Sequence, residues 1–241
     1  VTPVRARRAI GSLAGVLLVA ACSVDADSGP PPGAGLPAAV ERAAASTVTV
    51  EGTACRVAVR GSGFVVESGL VATAAHVVAG VERPSVRVGD GAPVPAVLVA
   101  FDPARDLALL AVEPPTAVGP PLVRREPVPV EDAVVLGRDD DAALHPVAVG
   151  VVDTLLASGP DIHGEGSFTR EVAVLERRMG EETVGEGDSG APVVGEDGAV
   201  LGVVVAVSTA RPGTAYAVRP AELDAVLRTA SLDPVPSGAC R

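Results

Sequence analysis

Lysine is absent from this chain of 241 residues, and so is tryptophan. All 19 basic side chains are arginine, set against 30 acidic ones, for a formal charge of −11. A chain this acidic lacks the basic face that holds phosphates, which excludes nucleic acid as a partner. Aromatic side chains are scarce, with three Phe and one Tyr, so the core has to be built from Val, Ala and Leu. After the first 21 residues no apolar run approaches the roughly 18 residues of a membrane-spanning helix. Histidine occurs three times. His145 and His163 have no second ligand at metal-binding spacing and are expected at the surface. The acidic stretches, Asp139–Asp141 with Glu181, Glu182 and Glu186, are expected to be solvated. No metal and no cofactor is expected.

What is present begins with a targeting segment. Arg5, Arg7 and Arg8 precede an apolar run from Ala9 to Ala21. A basic start, a short apolar stretch and small residues at its end describe a secretory signal over residues 1–21. The run ends Val19-Ala20-Ala21-Cys22, which is similar to a bacterial lipoprotein signal with Cys22 as the acylated residue. An ordinary cleaved signal is the alternative. Loss of three Arg and no acid with residues 1–21 moves the charge from −11 to −14. Residues 22–45 are expected to form a flexible tether, because Ser, Gly, Pro, Ala and Asp cannot build a core. The expected location is therefore extracytoplasmic, either lipid-anchored at the outer face of the cytoplasmic membrane or secreted. If Cys22 carries lipid, Cys55 and Cys240 remain as a pair, expected as a disulfide in an exported protein. Two unpaired thiols are the alternative.

From Ser46 the chain runs as short apolar segments between turn residues, a pattern of many strands. Candidate strands are Thr47–Glu51, Arg56–Arg60, Gly63–Glu67, Leu70–Ala72, Ser85–Val88, Val94–Ala100 and Leu107–Val112. A Pro-rich linker, residues 119–130, separates them from Ala133–Gly137, Val147–Asp153, Glu171–Arg177, Pro192–Gly195, Val200–Val207 and Ala215–Val218. Over Pro220–Ala230 the period changes, and Leu223, Val226 and Leu227 share one face, so a C-terminal helix is expected. The fold expected is all-β, two antiparallel barrels at 46–118 and 131–241, the second carrying the helix and a tail.

Three segments carry chemistry. They are Thr73-Ala74-Ala75-His76, Asp106-Leu107-Ala108-Leu109-Leu110, and Gly187-Asp188-Ser189-Gly190. A serine hydroxyl is a poor nucleophile until a base takes its proton. Histidine titrates in the range that task needs. A carboxylate must fix the imidazole tautomer and stabilise its charged form. Backbone N–H groups must face the developing oxyanion. Ser189, His76 and Asp106 satisfy the first three needs, and the N–H groups of Gly187 and Ser189 the fourth. Each residue alone has a dull explanation; the joint pattern points to acyl transfer.

These segments resemble the trypsin/chymotrypsin family, and the likeness runs from Ser46 to Ala230. It implies two perpendicular six-stranded barrels with a cleft between them, His76 and Asp106 from the first and Ser189 from the second. Within the family, Gly61-Ser62-Gly63-Phe64-Val65-Val66, Ala75-His76-Val77-Val78-Ala79-Gly80 and Phe101-Asp102-Pro103-Ala104-Arg105-Asp106-Leu107-Ala108 are similar to bacterial HtrA-like and actinobacterial MarP-like periplasmic proteases. Thr169-Arg170-Glu171-Val172 leans to the latter. The chain departs from both, since it shows neither a PDZ domain nor several membrane helices. It also has Asp188 where both groups usually have Asn.

By resemblance, the substrate pocket is lined by Thr183, Val205, Ala206 and Val207. Thr183 brings no negative charge for a substrate Arg or Lys, so a shallow pocket for small aliphatic side chains is expected. In digestive trypsin-like enzymes an Asp at position 188 meets a freshly cut N-terminus. No Ile-Val-Gly-Gly-like sequence precedes the first strand here, so Asp188 is expected to pair with an arginine or to be solvated. The resemblance implies an exported serine endopeptidase acting on protein or peptide. A catalytically silent binding lipoprotein on the same fold is the alternative.

Overall fold

The computed structural model describes residues 36–139, 141–178, 180 and 182–240. The expected signal and Cys22 lie outside the described residues. Twelve strands form two closed antiparallel barrels. The first contains β1 (Thr47–Ala54), β2 (Val57–Glu67), β3 (Leu70–Thr73), β4 (Ser85–Arg87), β5 (Val94–Asp102) and β6 (Leu107–Val112). The second contains β7 (Glu131–Arg138), β8 (Leu144–Gly159), β9 (Phe168–Arg177), β10 (Pro192–Gly195), β11 (Val200–Val207) and β12 (Thr214–Val218). Around each barrel the strands follow the same order: first, second, third, sixth, fifth, fourth. The two halves thus share a topology that no internal sequence repeat announces.

Seven segments in the first half condense into six strands. Arg56–Arg60 and Gly63–Glu67 are one strand, β2, and run through Gly61-Ser62 without a break. Its first four residues are exposed or half-buried, and the next six are buried on both faces. The glycines that read as a boundary are instead places where other backbone comes close. A Cβ on Gly61 would press on Val77 and stand 2.9 Å from the Ser189 carbonyl oxygen. Cys55 and Arg56 both take positive φ, 47° and 71°, and form the two-residue turn between β1 and β2. Cys55 is disulfide-bonded to Cys240, 185 positions away, so the expected pairing is present.

The last part of the tether expected over residues 22–45 is ordered as helix. Ala38–Ala44 is a helix, α1, with Val40 and Ala43 buried on one face. That i, i+3 pair is all the apolar signal so short a helix can carry. The Pro37 carbonyl accepts N–H bonds from Val40 and Glu41 and closes its first turn. Strand β8 also runs beyond the expected Asp153, to Gly159, pairing with β9 down to Gly159 opposite Phe168. In this extension exposed and half-buried positions alternate and none is buried; Leu156 falls on the exposed face, so the apolar residues do not mark the strand.

A helical turn, α2 (Ala75–Val78), follows β3. Helix α3 (Pro220–Thr229) has Pro220 in its first turn, buries Leu223 and Val226, and leaves Leu227 half-buried. One continuous apolar cluster joins the first barrel, α1, α3 and side chains of the second barrel, including Leu136, Val194, Val200 and Val203. Ion pairs tie down the linker. Arg124 reaches Asp224 on α3, Arg125 holds Glu131 and Asp197, and Arg219 holds Glu126 and Glu171.

Candidate active site

The site starts at the tight turn between β5 and β6. The Asp102 carboxylate accepts an N–H bond from Arg105 at 2.8 Å, closing the turn onto itself. The Arg105 guanidinium donates to both Asp102 and Glu222, which pins the turn to α3. From β9, Arg170 donates to the Ala104 carbonyl at 2.8 Å. The turn delivers Asp106 with φ +54°. Aspartate tolerates that left-handed conformation better than most residues, and a residue held there is a common mark of a working site. The Asp106 side chain is buried.

His76 meets it from α2. The His76 backbone N–H donates to Asp106 Oδ1 at 2.9 Å. The ring Nδ1 lies 3.0 Å from Oδ1 and 2.8 Å from Oδ2. A carboxylate can only accept, so Nδ1 carries the hydrogen and Nε2 is left as the acceptor. Pinning backbone and ring to one carboxylate fixes the imidazole in position and in tautomer.

Ser189 arrives on the loop between β9 and β10. Its carbonyl accepts the backbone N–H of Ser62 at 2.8 Å. The Ser62 hydroxyl donates to the Gly187 carbonyl at 2.7 Å and accepts the Arg138 N–H at 2.8 Å. One residue of β2 therefore clamps the loop on both sides of Asp188. Gly187 has φ +88°, which glycine adopts without steric cost. Gly190 packs so tightly that a Cβ there would overlap the Ser62 carbonyl and the Thr73 hydroxyl, and approach the Ala74 N at 2.8 Å. Those residues lead directly into α2, so Ser189 and His76 are brought together from separate barrels. Both side chains are half-buried, open on the solvent side. Among the described residues the Ser189 hydroxyl and His76 Nε2 make no hydrogen bond to each other. In resting hydrolases this contact is often long and tightens with substrate.

Of the expected pocket residues, Val205, Ala206 and Val207 lie on β11 and Thr183 on the loop between β9 and β10. Val205 is buried, whereas Ala206, Val207 and Thr183 are exposed. Ala206 stands opposite Tyr216 and Val207 opposite Ala215 on β12. Ser62 is the residue whose part could not be read from its motif, because its partner lies 125 positions away. Two expectations need correction. Asp188 is neither solvated nor paired with arginine; it is completely buried and faces His145. His145 is accordingly not a free surface residue but half-buried between Asp188 and Glu182. His163 lies half-buried against Phe101, with ring centroids 6.2 Å apart.

Comparison with known proteins then decides the family. Residues 61–203 match the trypsin-like peptidase domain. The chain belongs to the trypsin-like peptidase family. It is 35% identical over 190 residues to the serine protease Rv3671c of Mycobacterium tuberculosis, covering 77% of this chain and 46% of that one. Against HTRA2, a mitochondrial serine protease of Bos taurus, it is 35% identical over 148 residues, 59% of this chain and 30% of that protein. This trypsin-like chain thus spans less than half the length of these relatives. The crystal structure of the Rv3671c protease in its active form superposes with TM-score 0.77 at 33% identity, covering 85% of this chain and 89% of that one. The HtrA-type protease AlgW, at 22% identity and TM-score 0.65, shares the fold.

Proposed function

We propose that this chain is an exported serine endopeptidase in which Ser189 is the nucleophile, His76 the general base and Asp106 the carboxylate that orients it. The observation that carries the reading is the double grip of Asp106 on His76, through backbone N–H and ring Nδ1, beside a Ser189 loop clamped by Ser62. In the reaction, Nε2 takes the Ser189 proton as Oγ attacks the substrate carbonyl carbon. The carbonyl π pair moves to oxygen, and the N–H groups of Gly187 and Ser189 stabilise that oxyanion. Collapse of the intermediate expels the amine, which takes its proton from Nε2. Water then repeats the sequence and releases the acyl group. Asp106 keeps its own charge throughout and stabilises the imidazolium.

Thr183, Val205, Ala206 and Val207 are assigned to the pocket for the side chain preceding the scissile bond. Their lack of charge supports a preference for small aliphatic residues. Cleavage sites mapped on a denatured proteome should show that preference; a profile dominated by Arg or Lys would contradict it. Export rests on the basic-apolar N-terminus ending at Cys22, and the disulfide Cys55–Cys240 fits an oxidising compartment. Lipid attachment at Cys22 is tested by mass analysis of the mature N-terminus. Hydrolysis of a protein substrate should fall roughly 10⁶-fold in Ser189→Ala or His76→Ala. Undiminished hydrolysis by either variant would refute the assignment.

A further inference from the structure

Asp188 lies between the two residues whose N–H groups the mechanism uses, and its carboxylate is completely buried. Water cannot solvate it, so a partner must. Oδ2 accepts the Gly185 N–H at 2.8 Å. Oδ1 faces His145 Nδ1 at 3.3 Å. The opposite ring nitrogen, Nε2, lies 3.0 Å from Glu182 Oε2. Both ring nitrogens therefore meet a carboxylate. A neutral imidazole can donate from only one nitrogen, whereas the imidazolium donates from both.

The backbone is shaped for this contact. His145 on β8 is paired across the barrel with Gly137 on β7. A Cβ at Gly137 would overlap Asp188 Oδ1, so only glycine leaves the carboxylate room over this part of the ladder. Among the described residues no other cation is paired with Asp188. The Arg138 guanidinium next along β7 is buried and turns its two terminal nitrogens to the carbonyls of Ala142, Ala44 and Thr47, not to Asp188. Position 137, opposite His145, brings no side chain. Among the described residues the charged groups paired with the ring are Asp188 and Glu182.

We propose that protonated His145 is the internal counter-ion of Asp188, a positioning residue that holds the Gly187–Ser189 loop in its working shape without a newly cut N-terminus. This rests on the serine peptidase reading and adds a pH limit to it. Burial works against a charged ring, but hydrogen bonds to Glu182 and Asp188 outweigh it and hold the His145 pKa above the ordinary histidine value. Burial also pushes Asp188 upward, opposed by the Gly185 N–H and by His145. As pH rises through the raised His145 pKa the ring loses its charge. Asp188 is then left buried without a cation, and the loop loses its anchor. Turnover is limited on the alkaline side by deprotonation of His145.

The test is the pH profile of kcat and KM for the full chain and four variants, alongside active-site labelling with a fluorophosphonate. Wild type should lose kcat at alkaline pH. His145→Gln, which can hydrogen bond but carries no charge, should be at least roughly tenfold slower in kcat with KM little changed. His145→Arg, a cation that does not titrate in this range, should lack the alkaline limb. Asp188→Asn should also lack it, and adding Asp188→Asn to His145→Gln should restore kcat. If His145→Gln does not fold, the Asp188→Asn profile decides, an unchanged alkaline limb overturning the proposal. A labelled, active wild type whose kcat and alkaline limb survive His145→Gln overturns the counter-ion alone. A folded wild type that takes no label at any pH overturns the peptidase reading with it.

Discussion

Ser62 illustrates how the site is held at the scale of single atoms. Its N–H grips the Ser189 carbonyl and its hydroxyl grips the Gly187 carbonyl. Removing the hydroxyl leaves that carbonyl and the Arg138 N–H without a partner, and frees the loop to rotate away from the oxyanion. Ser62→Ala should lower kcat by roughly 10- to 100-fold while KM stays near wild type, as expected for an interaction felt mainly in the transition state. A proportional rise in KM with kcat unchanged would place Ser62 in substrate binding instead. The buried pair behind the loop bears on stability as well. His145 and Asp188 both have folded pKa values above their ordinary ones. A group raised on folding contributes stability that is full below its unfolded pKa and is lost as pH rises through its folded one. The urea midpoint should therefore fall in two windows, above the ordinary carboxylate range for Asp188 and past the ordinary histidine range for His145, and both falls should flatten in Asp188→Asn/His145→Gln. His76, Asp106 and Ser189 were legible in the sequence because each sits in a short motif whose chemistry is local. The partners of Ser62 and His145 were not, since they lie 125 and 43 positions away and no local spacing encodes them.

Elements decide which of these atoms meet. Helix α1 covers the junction of the barrels, and the Arg138 guanidinium joins it to the first barrel through the carbonyls of Ala44 and Thr47. Burial depresses the Arg138 pKa, opposed by the nearby Asp139 charge. Arg138→Met should cost about 3 kcal/mol in urea unfolding, because it strands buried acceptors while keeping most of the volume. A loss below about 0.5 kcal/mol would mean that water replaces the guanidinium at those carbonyls. The strands were readable from their apolar segments, and α3 from its change of period. Helix α1 was hidden by its brevity, with two buried side chains in seven residues. The outer hairpin of β8 and β9 was hidden because its residue types do not follow its faces, with Leu156 exposed and Arg170 buried.

At the scale of the whole molecule, two barrels of identical strand order are joined by a salt-bridged linker and by a disulfide that ties the first hairpin to the chain's last residues. A covalent link across 185 positions restricts the unfolded chain far more than the folded one. Cys240→Ser should therefore lower stability by roughly 4–5 kcal/mol in guanidinium unfolding, with reductant producing the same loss in wild type. Unfolding curves that coincide with and without reductant would show that the tail is held by packing alone. The barrel closure, which puts Ser62 of one half against Ser189 of the other, could be expected from the family resemblance but not from strand pattern, which carries no pairing partner. Both barrels have to close before a nucleophile exists.

The most direct measurement is therefore made on the closed molecule. Folded chain is treated with a fluorophosphonate at neutral pH, and the adduct is located by peptide mass mapping beside Ser189→Ala. One adduct per chain, on Ser189 and absent from Ser189→Ala, is the expected result. Folded wild type without an adduct, or with one that persists in Ser189→Ala, would contradict the placement of the nucleophile at Ser189.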